Sequence, residues 1–240
     1  IFAAAIVPED QVTNDYDNWV KKSTGAGAFK MTEWSKGDKL VLEKNPYYWE
    51  SGLPKLDQVT WHYIPNDNTR IIKMEAGELD AMIFVPFNKI EELDAKNDIN
   101  VNLDPSSRMD HILINHSKTP LGDVRVRKAL NLGIDIDSII KTVAFGYATP
   151  ANSYVPAGGM YYHKSNKGYG YDPDQAKKLL DEAGVSNLSL DFVVQAGDAN
   201  FEQIGVLVKD QLSKIGININ LIKQESGQAW ETIVDGDYDL

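Results

Sequence analysis

The residues with most chemical scope in this 240-residue chain are four histidines, 35 carboxylates and two aromatic clusters. His111 and His116 lie close to Asp110, but five positions along a strand put their side chains on opposite faces. A metal site there would need loops to bring them together. The acidic residues are spread over predicted helix faces and caps, as in Glu91-Glu92, Asp181-Glu182 and Asp172 with Asp174. Glycoside hydrolysis needs two carboxylates facing each other across a cleft, and no such pair stands out. Tyr47, Tyr48 and Trp49 follow Asn45-Pro46, while Tyr161, Tyr162, Tyr169 and Tyr171 crowd a glycine-rich loop. Such clusters either pack loops onto a core or form a wall that stacks on an uncharged or peptide-like ligand.

Other chemistry is excluded by what is missing. Without cysteine there is no thiolate nucleophile, disulfide framework or Cys-ligated metal centre. The chain has no G-x-S-x-G elbow, no phosphate loop ending in Gly-Lys-Ser/Thr and no H-E-x-x-H. Gly25-Ala26-Gly27-Ala28 precedes a strand, whereas a phosphate cradle needs a following helix N-terminus, so it reads as a turn. A formal net charge of -11 repels phosphate backbones and anionic lipid, which argues against nucleic acid as a partner. No apolar run approaches the ~20 residues of a membrane-spanning helix. Both ends read as cut, as if the chain were excised from a longer protein.

The elements that must carry these residues fall into two textures. The first is strand-rich. Phe29 to Glu43 reads as a hairpin turning at Ser35-Lys36-Gly37-Asp38, with Gly37 supplying the positive φ. A strand follows at Val59–Ile64, then a helix from Thr69 capped by Asn66-Asp67-Asn68. Leu79–Val85, the residues around Val101 and Leu103, and Met109–Asn115 read as further strands. After Pro120 the texture alternates helix and strand. Asp123, Asp135 or Asp137, and Asp172 are predicted caps, and Pro173 opens the clearest helix. Strands are expected at Leu188–Val194 and Ile217–Leu221, flanking a helix from Phe201 to Ile215. A helix with Trp230, Ile233 and Val234 comes next, and Tyr238 opens a last strand. This is an α/β signature, implying a parallel or mixed sheet with helices on its faces. The division is drawn at 1–114 and 115–240.

Several phrases then resemble one family. Gly25 to Lys30, Glu33-Trp34, Gly37-Asp38 and the return strand ending Lys44-Asn45-Pro46-Tyr47-Tyr48-Trp49 are similar to the most recognisable stretch of the extracellular solute-binding proteins of ABC importers, family 5, the oligopeptide-, dipeptide- and nickel-binding type. Ala26, Ala28 and Lys44 depart from it conservatively. Gly77-Glu78-Leu79-Asp80, Leu121 to Leu130 with Gly133-Ile134-Asp135, Gly146 to Ala151, Tyr171-Asp172-Pro173 and Lys214-Ile215-Gly216-Ile217 follow in the family's order.

The resemblance implies a type II periplasmic-binding-protein-like fold: part of a first lobe at 1–114, and most of a second at 115–240. It implies a receptor that is not an enzyme, has no cofactor, and closes on a small peptide before docking to ABC permease subunits. Nickel or heme-type ligands and oligosaccharides are the alternatives within the family. A glycan hydrolase is the rival from another class, and a structural interaction domain a third option. The resemblance also implies a location outside the cytoplasm, periplasmic or lipid-anchored. An Asp that holds the amino group of peptide ligands would lie beyond Leu240. The candidate ligand-binding residues are Met82, Ile83, Phe84 and Val85, expected at the carboxyl end of a strand where open α/β sheets bind ligands, and Trp230. Arg125 and Arg127 are expected to pair with carboxylates of their own lobe. The exposed sheet edge of the first lobe is a candidate for self-association.

Overall fold

The computed structural model describes Val7 and residues 9–15, 25–104 and 106–240. The chain divides into two compact units, Ile1–Val85 and Pro86–Leu240. Each unit is built on its own sheet.

The first unit contains a short helix, Glu9–Asn14, and an antiparallel sheet ordered β1 (Phe29–Ser35), β2 (Lys39–Lys44), β3 (Gln58–His62). The hairpin forms where the sequence predicts it. Asp38 N–H donates to Ser35 O at 3.0 Å, and Gly37 takes a φ of 79°. Register aligns Trp34, Leu40 and Trp61 across the three strands on one face. Asn45 then fastens the loop that follows β2 to the glycine-rich turn. Its side-chain amide donates to Gly27 O at 2.8 Å and its backbone N–H to Ala28 O at 2.9 Å. That explains the Asn within the aromatic phrase. The aromatics themselves stay outside the core, with Tyr47 91% and Trp49 78% exposed.

A helix, Asp67–Glu75, follows, and Asn66 caps it by accepting from Thr69 N at 2.9 Å. The expected strand at Leu79–Val85 is absent: the segment has no strand partner among the described residues, and Phe84 adopts a φ of 56°. A strand exists only as part of a ladder, so apolar texture alone does not make one.

The second unit opens with a 3-10 turn, Phe87–Lys89, and a short helix, Ile90–Asp94. The expected strands around 101–103 and 109–115 are likewise not formed. Two helices, Val124–Leu132 and Ile136–Val143, are capped by Asp123 and Asp135 as predicted. A third, Pro173–Glu182, has Asp172 at its cap and Pro173 at its first position. β4 (Leu188–Gln195) pairs in parallel with β5 (Ile217–Gln224), joined by the helix Ala199–Ser213. Gly205 lets that helix approach the sheet, since an added Cβ would lie 3.0 Å from Val194 Cγ1 and 3.2 Å from Leu221 Cδ2. The core gathers Leu121, Val126, Leu130, Val208, Leu212 and Ile217, all essentially buried.

The unit's sheet goes on past its two full strands. Leu240 N–H donates to Asp191 O and Leu240 O accepts from Val193 N–H, both at 3.0 Å. Those are the bonds of a parallel ladder on the edge of β4 away from β5. The strand expected from Tyr238 is not formed, and Leu240 alone makes this pair of bonds. Asn115, a buried polar residue, ties the other flank. Its side chain donates to Gly236 O and Tyr238 O at 3.0 Å each, and its backbone N–H donates to Asp239 O at 2.9 Å.

Arg125 behaves as expected, meeting the Asp123 carboxylate at 2.6 Å and Glu182 O at 2.6 Å. Arg127 does not: it donates to the carbonyls of Leu121 and Gly122, each at 2.8 Å, which close the loop into its own helix. The Arg125 side chain is the main cause, and its backbone N–H the second, that hold the Asp123 carboxyl at about 2, below its ordinary 3.8. A folded-state value below the unfolded one favours the fold above that ordinary range, and the benefit fades as pH falls toward the folded value. Asp123→Asn is therefore expected to lose stability at pH 7, and the gap from the parent protein should close between about pH 4 and pH 2. Urea midpoints across that range test it. A gap independent of pH would show that the carboxylate contributes only as an uncharged cap.

Candidate functional site

In the first unit the candidate segment follows directly from the Asp67–Glu75 helix. Gly77, with φ at 71°, reverses the chain; Glu78 N–H closes the turn on Lys73 O at 2.9 Å, and the two side chains pair at 2.5 Å. Met82 and Val85 are half-buried, while Ile83 is 51% and Phe84 73% exposed. A left-handed backbone at a bulky aromatic costs on the order of 1–2 kcal/mol. Phe84 therefore needs something to hold it. Its carbonyl faces Arg70, whose Nη2 lies 3.4 Å away.

In the second unit, Trp230 sits in the helix Ser226–Asp235, which starts just after the carboxyl end of β5. It is 67% exposed, with Val234 one turn on at 65%. Trp230 thus does not serve as the buried face of its helix, although Ile233 is half-buried. In the same unit the carboxyl ends of two parallel strands meet, the place where open α/β sheets bind ligands. Ala196 N–H donates to Gln224 O at 2.7 Å, which joins the two strand ends. Gln224 Oε1 is buried there without a hydrogen-bond partner among the described residues. Asp198 caps the following helix by accepting from Asn200 N at 3.0 Å and Phe201 N at 3.2 Å. Glu202 pairs with Lys223 at 2.5 Å and accepts from Gly197 N–H at 3.1 Å. The Lys223 side chain is the larger cause that lowers the Glu202 carboxyl below its ordinary value. This rim is polar, rigidly bonded and carries one large exposed indole.

The four residues of the first group and Trp230 belong to different compact units. Two shallow hollows, of about 260 and 360 Å³, lie elsewhere: one around Leu180, Asn187 and Gly216, the other around Asn45, Tyr48 and Leu53. None of the five candidates lines either. No group of three or more His, Asp or Glu side chains among the described residues is placed to hold a metal ion. His111 instead stacks at a tilt against Tyr154, centroids 5.0 Å apart. Tyr161, Tyr169 and Tyr171 are exposed like Tyr47 and Trp49, so neither aromatic cluster packs into a core. Arg70, Gln224 and Asn115 were not visible as site or framework residues in the sequence. Nothing in their neighbours signals carbonyls that arrive from distant segments.

The family model for the bacterial extracellular solute-binding proteins, family 5 Middle, matches residues 1–240. The chain belongs to this family. Family 5 members are receptors that bind solutes outside the cytoplasm, and among the described residues no helix is long and apolar enough to cross a membrane. The glutathione-binding protein GsiB of Escherichia coli strain K12 is 31% identical over 205 residues, covering 85% of this chain and 40% of its own. DppA of Helicobacter pylori, a periplasmic binding protein solved with the peptide STSA, is similar in structure at a TM-score of 0.84 and 28% identity. It covers 98% of this chain, which in turn spans 46% of DppA. The oligopeptide-binding protein AppA of Bacillus subtilis, solved with a nonapeptide, matches at a TM-score of 0.78 and 26% identity over 96% of this chain and 50% of its own. Family 5 therefore accounts for the mixed α/β architecture. The chain spans about two-fifths of the length of the curated relatives and about half that of the solved ones.

Proposed function

We propose that this chain is part of the solute-binding component of an ABC importer, one that captures a small peptide between two lobes, does not alter it, and hands it to the membrane permease. The lobes are 1–114 and 115–240, with the chain crossing just ahead of Asn115. The observation that carries the reading is the family match over all 240 residues. The likeness to two receptors solved with peptides favours a peptide over other solutes. Ligand binding would supply the differential free energy that favours the closed form. Ile83 and Phe84 in one unit and Trp230 in the other would offer exposed apolar area to side chains of varied size, with Met82 and Val85 half-buried beside the first two.

Calorimetry on the protein at its full natural length tests this, with Ser-Thr-Ser-Ala, glutathione, a nonapeptide and Ni(II)–histidine as probes. A peptide is expected to bind and to be recovered intact. Silence toward every peptide together with tight nickel binding would remove the peptide reading; cleavage of the peptide would remove the receptor reading. Within a binding protein, Phe84→Ala and Trp230→Ala are each expected to weaken peptide affinity about tenfold, the equivalent of roughly 1.4 kcal/mol of lost contact. Unchanged affinity in both would take these residues out of the site.

A further inference from the structure

Arg70 is the fourth residue of the Asp67–Glu75 helix, yet its guanidinium works largely outside that helix. Nη1 donates to Ile64 O at 2.8 Å and reaches Pro65 O at 3.3 Å. Nη2 donates to Asp67 Oδ1 at 2.5 Å and to Phe84 O at 3.4 Å. Nε is buried and has no hydrogen-bond partner among the described residues. One planar fork thus joins the exit of β3, the start of the helix and the segment fourteen residues downstream. Only the last of these reaches a strained residue, since Phe84 has a φ of 56° and a side chain 73% exposed. A ring that is mostly in solvent cannot hold its own backbone by burial. The restraint has to come through the main chain, and the Phe84 carbonyl is where Arg70 supplies it.

We propose that Arg70 is a positioning residue: by capturing the Phe84 carbonyl it holds Met82–Val85 in the conformation offered to the ligand. The functional half of this rests on the reading of that segment as a ligand wall. Arginine is suited to the task because its fixed fork sends donors in two directions at once. Lysine keeps the charge but has no planar fork, so it does not reproduce two nitrogens held apart and aimed separately at Ile64 O and Phe84 O.

The test uses the protein at its full natural length, as Arg70→Lys and Arg70→Ala, with and without Phe84→Gly. Chymotrypsin cleavage after Phe84, followed by mass spectrometry, reads the latch directly. It is expected to be at least tenfold faster in Arg70→Lys, while cleavage after Trp61 in β3 stays within twofold of the parent. Calorimetry with Ser-Thr-Ser-Ala and glutathione reads the consequence. Arg70→Lys should weaken binding about tenfold in the parent background. In the Phe84→Gly background the loss should shrink to within twofold, because glycine takes the positive φ without help. Equal losses in both backgrounds would overturn the proposal and leave Arg70 as a support of the Ile64–Pro65 loop. Unchanged cleavage after Phe84 would overturn it outright. If cleavage quickens as expected but the parent binds neither probe, the latch stands and the ligand-wall reading is what fails.

Discussion

Gly133→Val is expected to destabilise the second unit by about 3 kcal/mol, the upper end of what overpacking a close-fitted site costs. The reason is space and not backbone freedom, because Gly133 has an ordinary φ of -80° at the end of the Val124–Leu132 helix. An added Cβ would lie 2.6 Å from Ile215 Cδ1, 3.1 Å from Ala129 O and 3.2 Å from Leu212 Cδ2. The Ile215 methyl can swing aside, but the Ala129 carbonyl is fixed by the helix ladder. Leu212 and Ile215 are both buried, so any displacement spreads into the core beneath β5. Gly133→Ala should be milder, at about 1–2 kcal/mol, with the methyl shift absorbing part of the clash. Urea denaturation followed by far-ultraviolet circular dichroism reads both. A Val variant with the parent's midpoint would mean that the helix and the sheet part more easily than their packing implies.

Asn115→Ala is expected to cost about 2–3 kcal/mol, the range for leaving buried hydrogen-bonding groups without partners. Four groups lose theirs: the carbonyls of Gly236 and Tyr238, and the backbone N–H and hydroxyl of Ser117, which donate to Asn115 Oδ1 at 3.2 and 2.6 Å. Asn115→Asp should be worse at pH 7, since it sets a carboxylate oxygen against two carbonyl oxygens. Lowering the pH should narrow the difference between the two variants, because the protonated acid regains a donor. Thermal unfolding of both variants at pH 7 and pH 4 decides. If Asp proved no worse than Ala at neutral pH, Asn115 would owe its place to shape and not to its amide.

What could be read from the sequence was mostly local. Asn66, Asp123, Asp135 and Asp172 cap the helices they precede because a cap is a bond between residues two or three apart. Pro173 and the hairpin at Gly37 are legible for the same reason. The failures are all non-local. Leu79–Val85 has the same apolar texture as β4, yet only β4 has a strand beside it. Nothing around Phe84 announces a positive φ, which glycine or asparagine would have done. Arg70 carries no such signal: Asp67 and Ile64 lie three and six residues before it, but Phe84 O becomes its partner only after the chain turns back at Gly77. The family was legible through phrases such as Asn45-Pro46-Tyr47-Tyr48-Trp49, where the structure gives Asn45 a fastening role and leaves Tyr47 and Trp49 in solvent. The proposed ligand wall was expected at the end of a strand that does not form, so Ile83 and Phe84 are candidates by exposure and not by topology.

The contacts of Asn115 with Gly236 and Tyr238 also bear on the order of assembly, because they join positions 121 and 123 residues apart. β4, its helix and β5 are neighbours along the chain and can meet soon after they are synthesised. The flank at Asn115 has to wait for the residues up to Tyr238, and closing so long a loop carries an entropic cost that short-range contacts do not. A nascent chain would therefore hold its parallel strands well before its rim is sealed, leaving the edge of β4 unpaired for the longest interval.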